Sequence, residues 1–134
     1  MKVIFYSLTG NVRRFIKKSN YSNAQDLYEV QNKIIDSPFI IMTSTIGFGQ
    51  VPDDVMHFLE LNHANLRGVI ASGNRNWGQN FAKSGDIIAS QFHVPLLMKY
   101  ELHGNADDVT KFLSIMEKVA IQNENFDREK VQSY

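Results

Sequence analysis

Three short segments concentrate the side chains that can do chemistry in this chain. Ser7-Leu8-Thr9-Gly10-Asn11 supplies two hydroxyls, a carboxamide and a glycine ahead of the apolar Val12. At the start of a helix such a segment favours a phosphate, because consecutive unpaired N–H groups and the helix dipole both attract an anion. Read alone, the same residues also make an ordinary helix cap. Thr43-Ser44-Thr45-Ile46-Gly47-Phe48-Gly49 and Ser72-Gly73-Asn74-Arg75-Asn76-Trp77-Gly78 are similarly rich in hydroxyl, amide and glycine, and each carries one large aromatic in a polar stretch. One exposed aromatic needs no explanation. Two of them on loops that converge would suit a flat aromatic ligand, stacked on one or both rings and anchored by its phosphate in the first segment.

Competing chemistries are poorly served. Gly47-Phe48-Gly49 runs into Gln50-Val51-Pro52 with no third glycine, so the dinucleotide-binding GxGxxG is absent, and Gly73 to Gly78 has P-loop spacing but is followed by Gln79-Asn80 in place of Lys and Ser/Thr. A phospho-acceptor domain would need an aspartate where the first and third strands end, at Ser7 and Thr43. His57, His63, His93 and His103 are too dispersed for a metal site. The chain has 0 cysteines, which removes disulfides, Cys-ligated metals and thiol chemistry, so redox work requires a borrowed cofactor. Its 14 basic and 14 acidic residues cancel without forming a basic stripe, giving no support to a nucleic-acid or anionic-membrane partner. No apolar run reaches the roughly 18 residues of a membrane span, and Met1-Lys2 leads straight into a strand-like segment, so a cytoplasmic protein is expected.

The elements that must position these segments are legible as a strand–helix alternation. With 134 residues, 43% of them hydrophobic, the chain suffices for one domain with its own core. Strands are expected at Val3–Tyr6, Asp26–Val30, Phe39–Met42, Gly68–Ala71 and Pro95–Tyr100, short and unpatterned as buried parallel strands are. Helices follow: Val12, Phe15 and Ile16 define one apolar face, Val55, Phe58 and Leu59 a second behind Pro52, Phe81, Gly85, Ile88 and Phe92 a third, and Val109, Phe112, Leu113, Met116 and Val119 a fourth. Only Gln31 to Ser37 separates the second and third strands, too little for an ordinary helical crossover, so that connection is expected as bare loop. The fold class is α/β around a parallel sheet. Residues 1–121 form the domain, and 122–134 a polar, flexible C-terminal tail. Ligands of such sheets sit outside the carboxyl ends of the strands, where strand order reverses, which is where the three polar segments fall.

The segments also carry a resemblance. Ser7-Leu8-Thr9-Gly10-Asn11 resembles the flavodoxin loop that binds the phosphate of FMN, S/T-x-T-G-N-T, with Val12 in place of the last threonine and therefore one hydroxyl fewer. Arg67-Gly68-Val69-Ile70-Ala71-Ser72-Gly73-Asn74-Arg75-Asn76-Trp77-Gly78 resembles the signature of the NrdI family, the flavodoxin-like stimulatory proteins of class Ib ribonucleotide reductase. Thr45 to Pro52 and Pro95 to Leu102 resemble further segments of that family, and the likeness covers residues 1 to 120. It implies a flavodoxin-like three-layer sandwich with a five-stranded parallel sheet in the order 2-1-3-4-5, the helix between strands two and three shortened or lost. It also implies FMN, reduced by an unidentified flavin reductant and reacting with dioxygen. The superoxide formed would serve assembly of the dimanganese-tyrosyl radical cofactor in the reductase small subunit. By position, Ser7 to Val12 would hold the phosphate, Thr43 to Gly49 would wrap the flavin, and Ser72, Gly73, Asn74, Asn76, Trp77 and Gly78 would close its other edge. Gly47 and Gly49 could let a peptide turn a carbonyl toward the flavin N5, or simply end the strand.

Charge adds a mechanistic expectation. Carrier flavodoxins crowd carboxylates around the ring and so disfavour its reduced anion, whereas the three segments here contain no Asp or Glu and Arg75 lies beside Trp77. One unit charge at ~8 Å, with an effective dielectric of ~20, is worth about 2 kcal/mol or roughly 90 mV for one electron. Arg13 and Arg14, in the first turn of a helix, would meet the phosphate or an acidic partner, or lie on a solvated face. Two other functions remain open at this point, a general one-electron carrier and a cofactor-free protein-binding module.

Overall fold

A computed structural model describes the backbone of residues 1–132 and the side chains of residues 1–124. Five strands, β1 (Lys2–Tyr6), β2 (Ala24–Asp26), β3 (Phe39–Thr43), β4 (Leu66–Gly73) and β5 (Leu96–Glu101), pair in parallel in the order β2-β1-β3-β4-β5. This is the sheet order that the resemblance implies. The helices are α1 (Asn11–Ser19), the single turn α2 (Leu27–Val30), α3 (Asp53–Asn62), α4 (Lys83–Phe92) and α5 (Ala106–Gln132).

Alternation along β1 sends Val3 and Phe5 to one face and Ile4 and Tyr6 to the other, and each pair joins a separate core. On the first face Val12, Phe15 and Ile16 of α1 meet Phe112, Met116 and Val119 of α5. Phe15 stacks on Tyr100 with ring centroids 4.2 Å apart. On the second face Val55, Phe58 and Leu59 of α3 and Ile88 of α4 cover Ile41, Leu66 and Val69. Both sheet faces are thus dry, which is why the strands read as continuous apolar runs.

One expectation fails between Asp26 and Ser37. The segment Asp26–Val30 is not a strand: β2 stops at Asp26, whose carboxylate accepts the Tyr28 N–H at 3.0 Å and caps α2, while Leu27 and Val30 turn inward one helical turn apart. A short apolar run does not distinguish strand from helix by its periodicity, and the capping aspartate decides it. The crossover is therefore a shortened helix followed by loop. The buried Asn62 holds that loop, accepting the Ile35 N–H at 2.6 Å and donating to Lys33 O at 3.0 Å, and Asn65 donates to Ile35 O at 2.9 Å.

Smaller departures lie at helix edges. Leu113 is 41% exposed and stands outside the core, and Phe81 precedes α4. Helix α5 continues to Gln132, across the 121/122 boundary. Residues 133–134 and the side chains from 125 onward lie outside the described residues, and with them the end of the segment expected to be a flexible tail. Among the described residues no helix is long and apolar enough to cross a membrane.

Candidate functional site

In this topology the chain reverses direction across the sheet between β1 and β3, and the loops leaving those two strands open a crevice at their carboxyl ends. In the loop after β1, Gly10 takes φ +89° and accepts the Arg14 N–H at 2.9 Å, while Ser7 Oγ accepts the Arg13 N–H at 3.2 Å. The Leu8 N–H reaches across to Ser44 Oγ at 3.2 Å and ties the first loop to the second. The backbone N–H groups of Thr9, Gly10, Asn11 and Val12 have no partner among the described residues. Val12 itself is fully buried in the core, so its contribution at this position is the N–H alone. Four free donors at the start of a nine-residue helix are suited to a phosphate.

The second loop folds into a tight turn in which Ile46 and Gln50 exchange backbone hydrogen bonds of 3.0 and 2.8 Å. Gly47 and Gly49, at φ +51° and +102°, occupy the left-handed conformations such a turn demands. The Thr43 hydroxyl is buried and donates to Ser44 O at 2.9 Å, and Thr45 Oγ1 lies 2.7 Å from Ser84 Oγ, so both spend their hydroxyls in holding the loop. In the third loop Asn74 Oδ1 accepts the Asn76 N–H at 2.9 Å, and Ser72 Oγ donates to Leu102 O at 2.6 Å.

The three loops meet around one crevice of about 150 Å³. Leu8, Thr9 and Asn11 line it from the first loop, Ser44, Thr45 and Gly47 from the second, and Ser72, Gly73, Asn74 and Trp77 from the third. Ser7, Gly10, Val12, Thr43, Ile46, Phe48, Gly49, Asn76 and Gly78 stand behind or beside these lining residues. Phe48 and Trp77 do converge, meeting edge to face with centroids 5.7 Å apart, and they remain 76% and 46% exposed.

Two lining residues escape the three segments. Asn80 follows the third, and Leu102 belongs to a fourth loop at the end of β5, held at φ +54° with its N–H on Gly73 O at 2.9 Å. The alternation of β5 with Pro95 to Leu102 as a family-like segment was the available signal for it. That fourth loop also corrects the electrostatics. Arg75 is not an uncompensated cation beside the crevice, because Glu101 faces it: Glu101 Oε2 accepts the Arg75 N–H at 2.9 Å, and Oε1 lies 3.7 Å from Arg75 Nε. The guanidinium rests over the Phe81 ring, 4.9 Å from its centroid. Arg13 pairs with Asp26, and Arg14 Nη1 donates to Asn11 Oδ1 at 3.1 Å. Behind the first loop, Tyr28 donates to Asp54 Oδ2 at 3.1 Å, and hydrogen bonding to Tyr6 and then to Asp54 pushes its phenol up to about 12.

The crevice itself is lined by neutral groups. Residues 3–114 match the NrdI flavodoxin-like family. The chain is similar to the protein NrdI of Macrococcus caseolyticus (strain JCSC5402), 54% identical over 134 residues that cover 100% of both chains. Its fold is similar to that of a short-chain flavodoxin associated with a PDU bacterial microcompartment, with a TM-score of 0.65 at 15% identity, covering 90% of this chain and 96% of that one. Sheet order, neutral four-loop crevice and full-length similarity converge: the chain belongs to the NrdI flavodoxin-like family, the flavodoxins associated with class Ib ribonucleotide reductase.

Proposed function

We propose that the chain binds FMN in the crevice and serves as the superoxide-supplying activator of the class Ib ribonucleotide reductase small subunit. Bound FMN, once reduced by a separate flavin reductant, would pass electrons to dioxygen, and the superoxide would serve assembly of the dimanganese-tyrosyl radical cofactor. The observation that carries this reading is the pairing of four free backbone N–H groups at Thr9 to Val12 with an aromatic, Trp77, that lines the same crevice and is met edge to face by Phe48.

The residues present fit the cofactor. The N–H groups of Thr9 to Val12 and the Thr9 hydroxyl, all neutral donors, would hold a phosphate at the start of α1. Trp77 offers an apolar face for the ring, with Phe48 packed edge to face beside it. Ser44 and Asn74 line the crevice as polar partners for its edges. No lining residue is acidic, so the chain adds no contact repulsion to a reduced, anionic ring. Gly47 and Gly49 permit a backbone rearrangement in the turn without a Cβ penalty.

Titration with FMN and with riboflavin tests the cofactor assignment. FMN is expected to bind far more tightly, and equal binding would remove the phosphate cradle. Mixing the reduced, FMN-loaded protein with dioxygen tests the activity. A high superoxide yield supports the activator, whereas efficient one-electron exchange with reductases and little superoxide would point to a general carrier. A chain that binds no flavin would be a protein-binding module.

A further inference from the structure

We propose that Lys99 and Glu101, two residues apart on β5, are positioning residues that grip both legs of the Trp77 loop and so fix the height of Trp77 over the crevice. Alternation along a strand puts residues i and i+2 on the same side, and here that side faces the loop. The loop is closed at its base, where Gly73 and Ala82 touch so closely that a Cβ on Gly73 would lie 2.4 Å from the Ala82 nitrogen. Glu101 seizes the outgoing leg through the Arg75 N–H at 2.9 Å. Lys99 seizes the returning leg, its Nζ donating to Phe81 O at 3.1 Å while Asp86 Oδ2 holds the ammonium at 2.5 Å. The two grips share a brace, because Phe81 lies under both cations, with Arg75 Cζ 4.9 Å and Lys99 Nζ 5.9 Å from its ring centroid. The tip is left free: a Cβ on Gly78 would meet nothing within 4 Å, and its φ of +57° interrupts the helical turn there.

Glu101 and Lys99 do not line the crevice, so their effect passes through the loop. Without either grip the loop keeps its base and its Asn74 cap but loses a leg, and Trp77 gains freedom. The consequence for ligand binding rests on the proposed FMN reading, whereas the consequence for Trp77 does not.

The chain has 1 tryptophan, so its emission reports on this loop alone. In the cofactor-free protein, Glu101→Ala and Lys99→Met are expected to shift the emission to the red and to raise its acrylamide quenching constant roughly twofold, as loosened local structure does. Glu101→Gln should stay near wild type, because an amide oxygen still accepts the Arg75 N–H. FMN affinity of Glu101→Ala should fall about tenfold, the factor that one lost hydrogen bond to a charged group carries. Hydrogen exchange of the wild-type protein needs no variant to fold, and the Arg75 amide is expected to be more protected than that of Gly78. Unchanged emission, quenching and anisotropy in folded Glu101→Ala and Lys99→Met, or an unprotected Arg75 amide, would overturn the grip. Loosened emission in a protein that binds no FMN would leave the grip standing and remove the flavin reading.

Discussion

At the scale of single residues, the site rests on neutral donors, and the tests follow from that. Thr9→Ala removes a hydroxyl aimed at a charged ligand and should weaken FMN by about 1 to 2 kcal/mol, read by fluorescence titration. Trp77→Ala should weaken FMN as well, and in the wild type Trp77 emission should be strongly quenched as FMN is added; unchanged emission at saturation would remove Trp77 from the ring. Arg75 and Glu101 should shift the potential of the second electron in opposite directions, Arg75→Glu lowering it and Glu101→Gln raising it. Both side chains are more than a third exposed, at 67% and 38%, so each shift should fall well below the roughly 90 mV of an unscreened charge. Spectroelectrochemical titration of the two variants checks the signs. The first loop was legible from sequence because its spacing is itself the motif. The Arg75–Glu101 pair was not, because its partners stand 26 residues apart and only the end of β5 brings them together.

At the scale of elements, the weak point of the fold is the connection from β2 to β3. A parallel connection ordinarily needs a full crossover helix, and here one turn, α2, is followed by a loop whose backbone groups depend on Asn62 and Asn65. Asn62→Ala would leave the buried Ile35 N–H unpaired and should cost about 1 to 3 kcal/mol in denaturant unfolding. A cost within error of zero would mean that the loop is held by other contacts. The shortness of the connection was plain in the sequence. Its solution was hidden, since an asparagine at a helix end announces no distant partner, and the Asp26 cap that converts Asp26–Val30 from strand to turn is a local choice that apolar spacing does not record.

At the scale of the whole molecule, strand–helix alternation was enough to give an α/β sheet with its ligand at the strand ends, and the strand order came from the resemblance. The two-sided core has a consequence for pH. Burial raises the Tyr100 phenol above its ordinary value of 10.0. A folded-state value above the unfolded one means that the native state holds the proton more tightly. The stability this contributes is complete below about pH 10 and is lost as pH climbs through the raised value. Denaturant midpoints should therefore fall above about pH 10, less steeply in Tyr100→Phe, and a flat profile would contradict the burial of Tyr100. The central claim lies beyond stability, in what the loaded crevice does with oxygen. The most direct measurement is electron paramagnetic resonance of a manganese-loaded class Ib small subunit after mixing with this protein, FMN-loaded and reduced, and dioxygen. The account predicts a tyrosyl radical that requires the reduced protein and disappears when superoxide is scavenged by a dismutase. No radical from a subunit that a known activator does activate would contradict it.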